Sequence, residues 1–276
     1  MGSDEANGYE SQASSSTDWR PHLIALDIDG TLTDHHSLGH VNDKAKDAIK
    51  RAQDAGIHVV IATGRALSTT LPIAQEAGIN EWVISSNGAI LANTDGHIHE
   101  TVTFDAQEAI QLLDEELPDA VFALEDQHSD FHSTHWFSAG ALCAHIEVTP
   151  LEEFAHKPAV RLVVRSDSMK DEGFGPLMRK HGFHTTIFGV DQVAWVDIGP
   201  TGVTKAFMLE QLAKQLNIGQ NHVMAIGDSQ NDLEMLQWAG KGVAMGAAKE
   251  HIVAAANEVT SHVPGDGVAD AILRWM

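Results

Sequence analysis

Short apolar runs alternate with amphipathic stretches along the first part of the chain. Residues 23–26 form an apolar run of strand length, and residues 41–57 then carry alanine and isoleucine at helical spacing, with Asn42 as N-cap and Gly56 as stop. The segments "HVVIATGR", "ALSTTLPIAQEAG" and "WVISSNGA" continue as strand, helix and strand. This alternation predicts a parallel sheet with right-handed crossovers.

The pattern changes after Asn87. It predicts a hairpin turning at Asp95-Gly96, a helix over 105–117, strands at "AVFALE" and "AVRLVVRS", a helix over 169–181 and a strand "FHTTIF". Hairpins mixed with helices favour an α+β unit with an antiparallel sheet. The strand–helix alternation resumes at "VAWVDIG" and runs through a helix over 203–216, "HVMAIGD", a helix over 231–238, "GVAM" and "GVADAILRW".

These patterns predict an α/β core that is discontinuous in sequence. We expect a core domain formed by residues 21–88 and 191–276, with an α+β cap domain of residues 89–190 inserted between them. Residues 1–20 are Ser-rich and acidic, and lack the basic and apolar regions of a signal peptide, so we expect a disordered tail.

Composition narrows the range of partners. A formal net charge of -22 over 276 residues disfavours nucleic acid and acidic membrane surfaces, because both bind through basic patches. Charged and polar residues interrupt every apolar stretch, so we expect no membrane span. Cys143 is the single cysteine, which excludes an intrachain disulfide and favours the reducing cytoplasm. We expect a monomer or a weak homodimer.

Two pairs of aspartates lie at predicted strand ends. Asp27 and Asp29 follow the first strand two residues apart, so both point the same way, and Asp228 and Asp232 follow the strand "HVMAIGD". Carboxylates placed this close repel each other unless a cation lies between them. A set of oxygen ligands suits a hard cation such as Mg²⁺, usually together with a substrate phosphate.

A series of motifs in fixed order carries a family resemblance. "DIDGTLTD", "ATGR", "SSNGA", "GVTKAFML" and "IGDSQNDLEML" are followed by "GVAMG" and "DGVADAI". Over residues 23–272 the chain resembles Cof-type phosphatases of the haloacid dehalogenase-like superfamily. The resemblance implies a Rossmann-like parallel core with an inserted α+β cap. It also implies Mg²⁺-dependent hydrolysis of a small soluble phosphomonoester, of the sugar phosphate, nucleotide or flavin phosphate class.

The resemblance also assigns roles to single residues. Asp27 resembles the nucleophile that forms an aspartyl-phosphate, and Asp29 resembles the general acid and base. Thr63 resembles a hydroxyl donor to the phosphoryl group, and Lys205 the cation that offsets its charge. The implied substrate contacts are Gly64, Asn87 and Asn231. The implied metal ligands are Asp27, Asp29, Asp228 and Asp232, with Asp29 acting through its backbone carbonyl.

Two other functions stay open on the sequence. A phosphomutase would use the same intermediate and would need a basic cluster in the cap, and a receiver-type phosphoacceptor module would use the same acidic pocket without an acid such as Asp29. The cap also contains "DQHSDFHSTHW", which we predict to be a loop of solvated histidines rather than a zinc site.

Overall fold

The computed structural model describes residues 19–34, 40–136, 146–167, 171–181, 184–190 and 193–276. The strands are β1 (Leu23–Leu26), β2 (His58–Ala62), β3 (Trp82–Ser85), β4 (Ile90–Asn93), β5 (Ile98–Thr101), β6 (Phe104–Asp105), β7 (Val121–Asp126), β8 (Phe131–Ser133), β9 (Ile146–Val148), β10 (Pro158–Arg165), β11 (His184–Val190), β12 (Val193–Gly199), β13 (Val223–Gly227), β14 (Lys241–Ala244) and β15 (Glu258–Val259). The helices are α1 (Asp43–Asp54), α2 (Leu67–Ala77), α3 (Gln107–Glu116), α4 (Leu151–Phe154), α5 (Asp171–His181), α6 (Lys205–Gln215), α7 (Leu233–Trp238), α8 (Glu250–Ala255) and α9 (Asp266–Arg274).

The first sheet has the order β15-β14-β13-β1-β2-β3-β4-β5. Its strands from β15 to β3 are parallel, as the alternation predicted, and β4 and β5 add an antiparallel edge. Helices α1, α2 and α9 cover one face, and α6, α7 and α8 cover the other. Because both faces are covered, β1 is buried along its whole length, which explains its uninterrupted apolar sequence.

The second sheet has the order β11-β12-β10-β7-β8-β9, with β6 paired to β10. Helices α3 and α5 pack on one face of it, against side chains such as Phe122 and Leu162. The opposite face buries Ala123, Phe131 and Val163 together with Ala66, which lies just before α2 of the first unit. The second sheet therefore presents one face to its own helices and the other to the first unit.

Three strands lie in a different sheet from the one predicted. The hairpin β4–β5 was expected in the cap, yet Ile90 pairs with Ser85 and the hairpin extends the first sheet. Strand β12 was expected to begin the second core segment, yet it pairs with β10 and β11 in the second sheet. The predicted boundaries at 88/89 and 190/191 therefore do not match the sheets. The reason is that alternation along a strand indicates its buried face and not its partner.

The histidine-rich segment is also different from the predicted loop. It forms the β7–β8 hairpin, in which His132 is buried and its Nε2 lies 3.1 Å from Oδ2 of Asp126, whereas His128 and His135 remain at the surface. Within the described part of the chain, none of these histidines belongs to a group able to hold a metal.

The end of the predicted tail is packed against the fold. The indole Nε1 of Trp19 donates to the backbone oxygen of Asn221 at 2.7 Å, and its ring contacts that of Trp275 edge-on at 5.5 Å. Residues 1–18 of the predicted tail lie outside the described residues. Among the helices that are described, none has both the length and the hydropathy of a transmembrane span.

Gly88 lies at the contact between the turn after β3 and the start of α6, and its φ is +96°. A Cβ at this position would lie 2.1 Å from the backbone oxygen of Thr204, whereas Gly56, with φ +79°, has no atom within 4 Å of such a Cβ. We expect Gly88→Ala to lower the free energy of unfolding by about 1–3 kcal/mol more than Gly56→Ala. Both substitutions place alanine at a positive φ, but only Gly88→Ala also brings the new Cβ into steric overlap with neighbouring atoms. Urea unfolding of both variants measures this difference, and equal losses would contradict the steric argument.

Candidate active site

The carboxyl ends of four neighbouring strands carry the polar residues predicted from the sequence. Asp27 follows β1, Thr63 follows β2, Asn87 lies in the turn after β3 and Asp228 follows β13. The order β13-β1-β2-β3 makes these ends adjacent, and the amide of Asp27 donates to the oxygen of Ile226 in the next strand. The sheet register therefore gathers the predicted residues at one edge.

A buried lysine lies between two of the aspartates. The Nζ of Lys205 is 2.6 Å from Oδ1 of Asp27 and 2.6 Å from Oδ1 of Asp232. Lys205 is the first residue of α6, and Thr204 caps that helix by accepting a hydrogen bond from the amide of Phe207. Only 1% of Lys205 is exposed, so its ion pairs are shielded from water. Burial opposes the charged form of Lys205, but the two carboxylates outweigh it and raise its pKa.

The carboxylate of Asp232 is fixed by the loop that follows β13. Its Oδ2 accepts hydrogen bonds from the amides of Asp228 and Ser229 at 3.0 and 2.9 Å, and from the Ser229 hydroxyl at 3.1 Å. Gly227 makes room for this carboxylate, because a Cβ there would lie 2.5 Å from its Cγ. The segment "GDSQND" therefore folds one aspartate back beneath its own loop.

Asp27, Asp228 and Asp232 form a group able to hold a metal ion. One oxygen from each lies within 4.8 Å of the others. Burial raises the pKa of Asp27 well above its ordinary value, the charges of Asp232 and Asp228 raise it further, and Lys205 opposes them. One lysine leaves surplus negative charge among three carboxylates. A hard divalent cation fits this set of oxygen donors and would relieve the surplus.

The side chain of Asp29 lies outside this group and pairs with Arg65. The Nε of Arg65 is 2.7 Å from Oδ2 of Asp29, and its Nη2 is 2.5 Å from Oδ1, so the pair is bidentate. Sequence reasoning did not select Arg65, although it is the last residue of the "ATGR" motif. Its position two residues after Thr63, at a strand end, was the available signal.

The predicted phosphate contacts come together from three segments. The amide Nδ2 of Asn231 donates to Oδ1 of Asn87 at 2.9 Å. Gly64 lies against both, because a Cβ there would be 2.9 Å from Oδ1 of Asn87 and 3.2 Å from Nδ2 of Asn231. Thr63 is buried, and its hydroxyl oxygen accepts from the amide of Arg65 at 3.1 Å. Hydroxyl and amide groups therefore line one small region beside the carboxylates.

Two residues of the second sheet also contact the turns of this site. The Nη1 of Arg161 donates to the backbone oxygen of Gly64 at 2.8 Å, and Glu125 accepts from the hydroxyl of Ser86 at 2.8 Å. Sequence reasoning selected neither Arg161 nor Glu125 for the site. A charged residue inside the apolar strand "AVRLVVR" was the signal that it is buried with partners.

Comparisons with known proteins agree with this arrangement. A family model for haloacid dehalogenase-like hydrolases matches residues 24–272. Phosphatase YwpJ of Bacillus subtilis is 31% identical over an alignment of 280 positions, which spans 90% of this chain and 97% of YwpJ. The 5-amino-6-(5-phospho-D-ribitylamino)uracil phosphatase YcsE of the same organism is 28% identical over 260 residues, covering 92% and 95%. Among solved structures, BT1666 of Bacteroides thetaiotaomicron, described among phosphatases of the haloalkanoate enzyme superfamily, has a TM-score of 0.77 at 27% identity and covers 97% of this chain and 99% of its own.

Replacing the buried lysine tests the charge balance of the site. We expect Lys205→Met to lower the free energy of unfolding by about 3–5 kcal/mol in metal-free buffer, because two buried carboxylates lose their cation. Lys214→Met, near the other end of α6, removes only an exposed pair with Glu210 and should cost less than about 1 kcal/mol. Adding Asp27→Asn to Lys205→Met should restore part of the loss. Urea unfolding that shows no such recovery would contradict this account of the repulsion.

Proposed function

Because this chain belongs to the haloacid dehalogenase-like hydrolases, we propose that it is a Mg²⁺-dependent phosphatase acting on a small phosphomonoester through an aspartyl-phosphate. The observation that carries the proposal is the buried pairing of Lys205 with Asp27 and Asp232, beside Asp228. The relatives YwpJ and YcsE, which match nearly the whole chain, are both named phosphatases.

Asp27 is the proposed nucleophile. One carboxylate oxygen attacks phosphorus, an acyl phosphate bond forms, and the ester bond to the leaving alcohol breaks. Lys205 holds the other oxygen and favours the ionised form that attack requires. A bound divalent cation, held by Asp27, Asp228, Asp232 and the backbone carbonyl of Asp29, would supply further positive charge near the transferring phosphoryl group. Water then attacks the acyl phosphate and restores Asp27.

Asp29 is the proposed proton carrier. Its carboxylic acid gives a proton to the departing alcohol, and the resulting carboxylate takes a proton from the water that attacks the acyl phosphate. The bidentate pair with Arg65 fixes the orientation of this carboxylate. Because both oxygens of Asp29 accept from Arg65 in this pair, one of the two contacts has to open before Asp29 can carry a proton.

Thr63, Gly64, Asn87 and Asn231 are the proposed phosphoryl contacts. Their hydroxyl, backbone amide and side-chain amide groups gather beside the carboxylate cluster. Donors that are held in place before the reaction stabilise the charge that develops on the phosphoryl oxygens. These donors do not have to reorganise during the reaction.

The alternative functions have less support. A phosphomutase needs a second anion site, yet three basic side chains of the cap are paired with carboxylates within it: Arg161 with Glu125 and Asp197, Arg165 with Asp167, and Lys180 with Glu116. A receiver module needs neither a second sheet over the site nor a proton donor at Asp29. The pairing of these basic side chains and the presence of the second sheet favour a hydrolase.

The name of one relative supports the proposed substrate class. YcsE is named for a phosphate ester with a ribityl chain, so we propose sugar phosphates, nucleotides and flavin phosphates as the first candidates. Measuring phosphate release from a panel of these esters, with and without Mg²⁺, tests the proposed function directly. No release from any ester would refute it. The cytoplasmic location and the monomer or weak homodimer stay predictions.

Removal of divalent cations should abolish turnover. We expect excess chelator to stop phosphate release, Mg²⁺ to restore it, and Mn²⁺ to restore part of it, because the proposed ligands are all oxygen atoms. Asp228→Asn should raise the Mg²⁺ concentration that gives half of the maximal rate, since the variant loses one charged ligand. Full turnover in excess chelator would contradict the metal assignment.

Substitution of Asp29 should affect poor leaving groups most. We expect Asp29→Asn to slow the burst of alcohol release from a sugar phosphate by about 10²–10⁴ relative to its effect on an activated aryl phosphate, which departs without a proton. Asp95→Asn, in the exposed turn of the β4–β5 hairpin, serves as the control and should leave both bursts unchanged. Equal losses with the two esters would remove the acid role from Asp29.

A further inference from the structure

Glu125 and Arg161, which we name the latch, extend from the second sheet to two turns of the first unit. Arg161 donates to the oxygen of Gly64, between Thr63 and Arg65. Glu125 accepts from the hydroxyl of Ser86, next to Asn87. The two turns carry three of the four proposed phosphoryl contacts. The latch therefore touches the site through its supporting turns rather than through the carboxylate cluster.

Strand pairing places the latch residues side by side. The register between β7 and β10 shifts between Ala159 and Arg161, which puts Arg161 directly opposite Glu125. On the other side of β10, Val163 is opposite Asp197 of β12, so Arg161 is diagonal to Asp197. The Nη2 of Arg161 lies 2.7 Å from Oε2 of Glu125, and its Nη1 lies 3.0 Å from Oδ2 of Asp197.

Packing alone does not account for these charges. Glu125 is 0% exposed, and Arg161 and Asp197 are each 6% exposed. Burying three ionised groups costs several kcal/mol per ion before their attraction offsets it, and apolar residues of similar volume often fill such space with equal or better stability. Apolar residues could not donate to the backbone oxygen of Gly64 in the facing turn, as Nη1 of Arg161 does.

The turn after β3 needs support from outside. Ser86 and Asn87 both have left-handed backbones, with φ of +50° and +55°. This conformation costs roughly 1–2 kcal/mol for a residue with a side chain, so it persists only where surrounding contacts hold it. Glu125 holds Ser86, and its Oε1 also accepts from the hydroxyl of Ser129, which in turn accepts from the amide of Leu67.

We infer that Glu125 and Arg161 are positioning residues that set the 63–65 and 86–87 turns in the conformation that binds the phosphoryl group. The inference rests on the proposed function and adds to it a role for the second sheet. Loss of the latch should loosen both turns and weaken transition-state binding while leaving the carboxylate cluster and its lysine in place.

The first test compares two arginines of β10. Arg161→Lys keeps a positive charge beside Glu125 but cannot hold Glu125, Asp197 and Gly64 at once. Arg165→Lys is the matched control, because Arg165 ends the same strand and pairs with Asp167, away from the site. We expect Arg161→Lys to speed amide hydrogen exchange at least threefold in peptides covering 63–67 and 86–89, and to lower kcat/KM for an aryl phosphate about tenfold or more. The control should stay within about twofold of wild type in both.

The second test removes only the contact with the 86–87 turn. Ser86→Ala leaves Ser129 and Arg161 to satisfy Glu125, so no buried charge loses all its partners and the variant should fold even if Arg161→Lys does not. We expect faster exchange at 86–89, little change at 63–67, and a fall in kcat/KM smaller than that of Arg161→Lys. Thermal melts of all variants report the fold independently.

The outcomes separate the inference from the proposed function. Wild-type exchange rates in both turns of Arg161→Lys, or in the 86–89 peptide of Ser86→Ala, would overturn the inference. Faster exchange with an unchanged kcat/KM would also overturn it, since the turns would then be held for stability alone. A wild-type protein that releases no phosphate refutes the proposed function, and the exchange rates then still decide whether the latch sets the turns.

Discussion

Three neighbouring carboxylates, two of which pair with one buried lysine, impose the main constraint on this structure. Lys205 satisfies Asp27 and Asp232 at 2.6 Å each, and Asp228 adds a third negative charge close by. In a site screened from water, this arrangement is stable only if every group is held by hydrogen bonds and the surplus charge finds a cation. The adjacency of β1 and β13, the missing side chain at Gly227 and the cap at Thr204 all serve this requirement.

The site divides its tasks between the two sheets. Asp27, Thr63 and Asp228 come from the ends of parallel strands, where backbone hydrogen bonds on both sides fix their positions. The groups that hold the intervening turns come from the second sheet, through Glu125 and Arg161. Residues on a rigid sheet are more accurately placed than residues on turns, so the turns are where outside support has the greatest effect.

The part of this arrangement that the sequence could predict is the part governed by local pattern. Apolar runs and helical spacing indicated the parallel sheet, and the common edge of such a sheet placed Asp27, Thr63, Asn87 and Asp228 together. The sheet membership of β4, β5 and β12 depends on pairing partners, which alternation does not specify. Arg65 contacts Asp29, which lies 36 positions away in the sequence, and Arg161 contacts Gly64, which lies 97 positions away. No local pattern predicts a contact between residues so far apart in sequence.

Charge balance also explains how a chain with a formal net charge of -22 can attract an anionic ester. The positive side chains at the site are already engaged, Lys205 with two aspartates and Arg65 with Asp29. With its carboxylates ionised, the cluster alone would therefore repel a phosphate dianion. Under the proposed function, a bound divalent cation would lower this repulsion, so we expect the cation to bind first and the ester second. The acidity of the rest of the chain then favours the first step, because a negative surface raises the local concentration of cations.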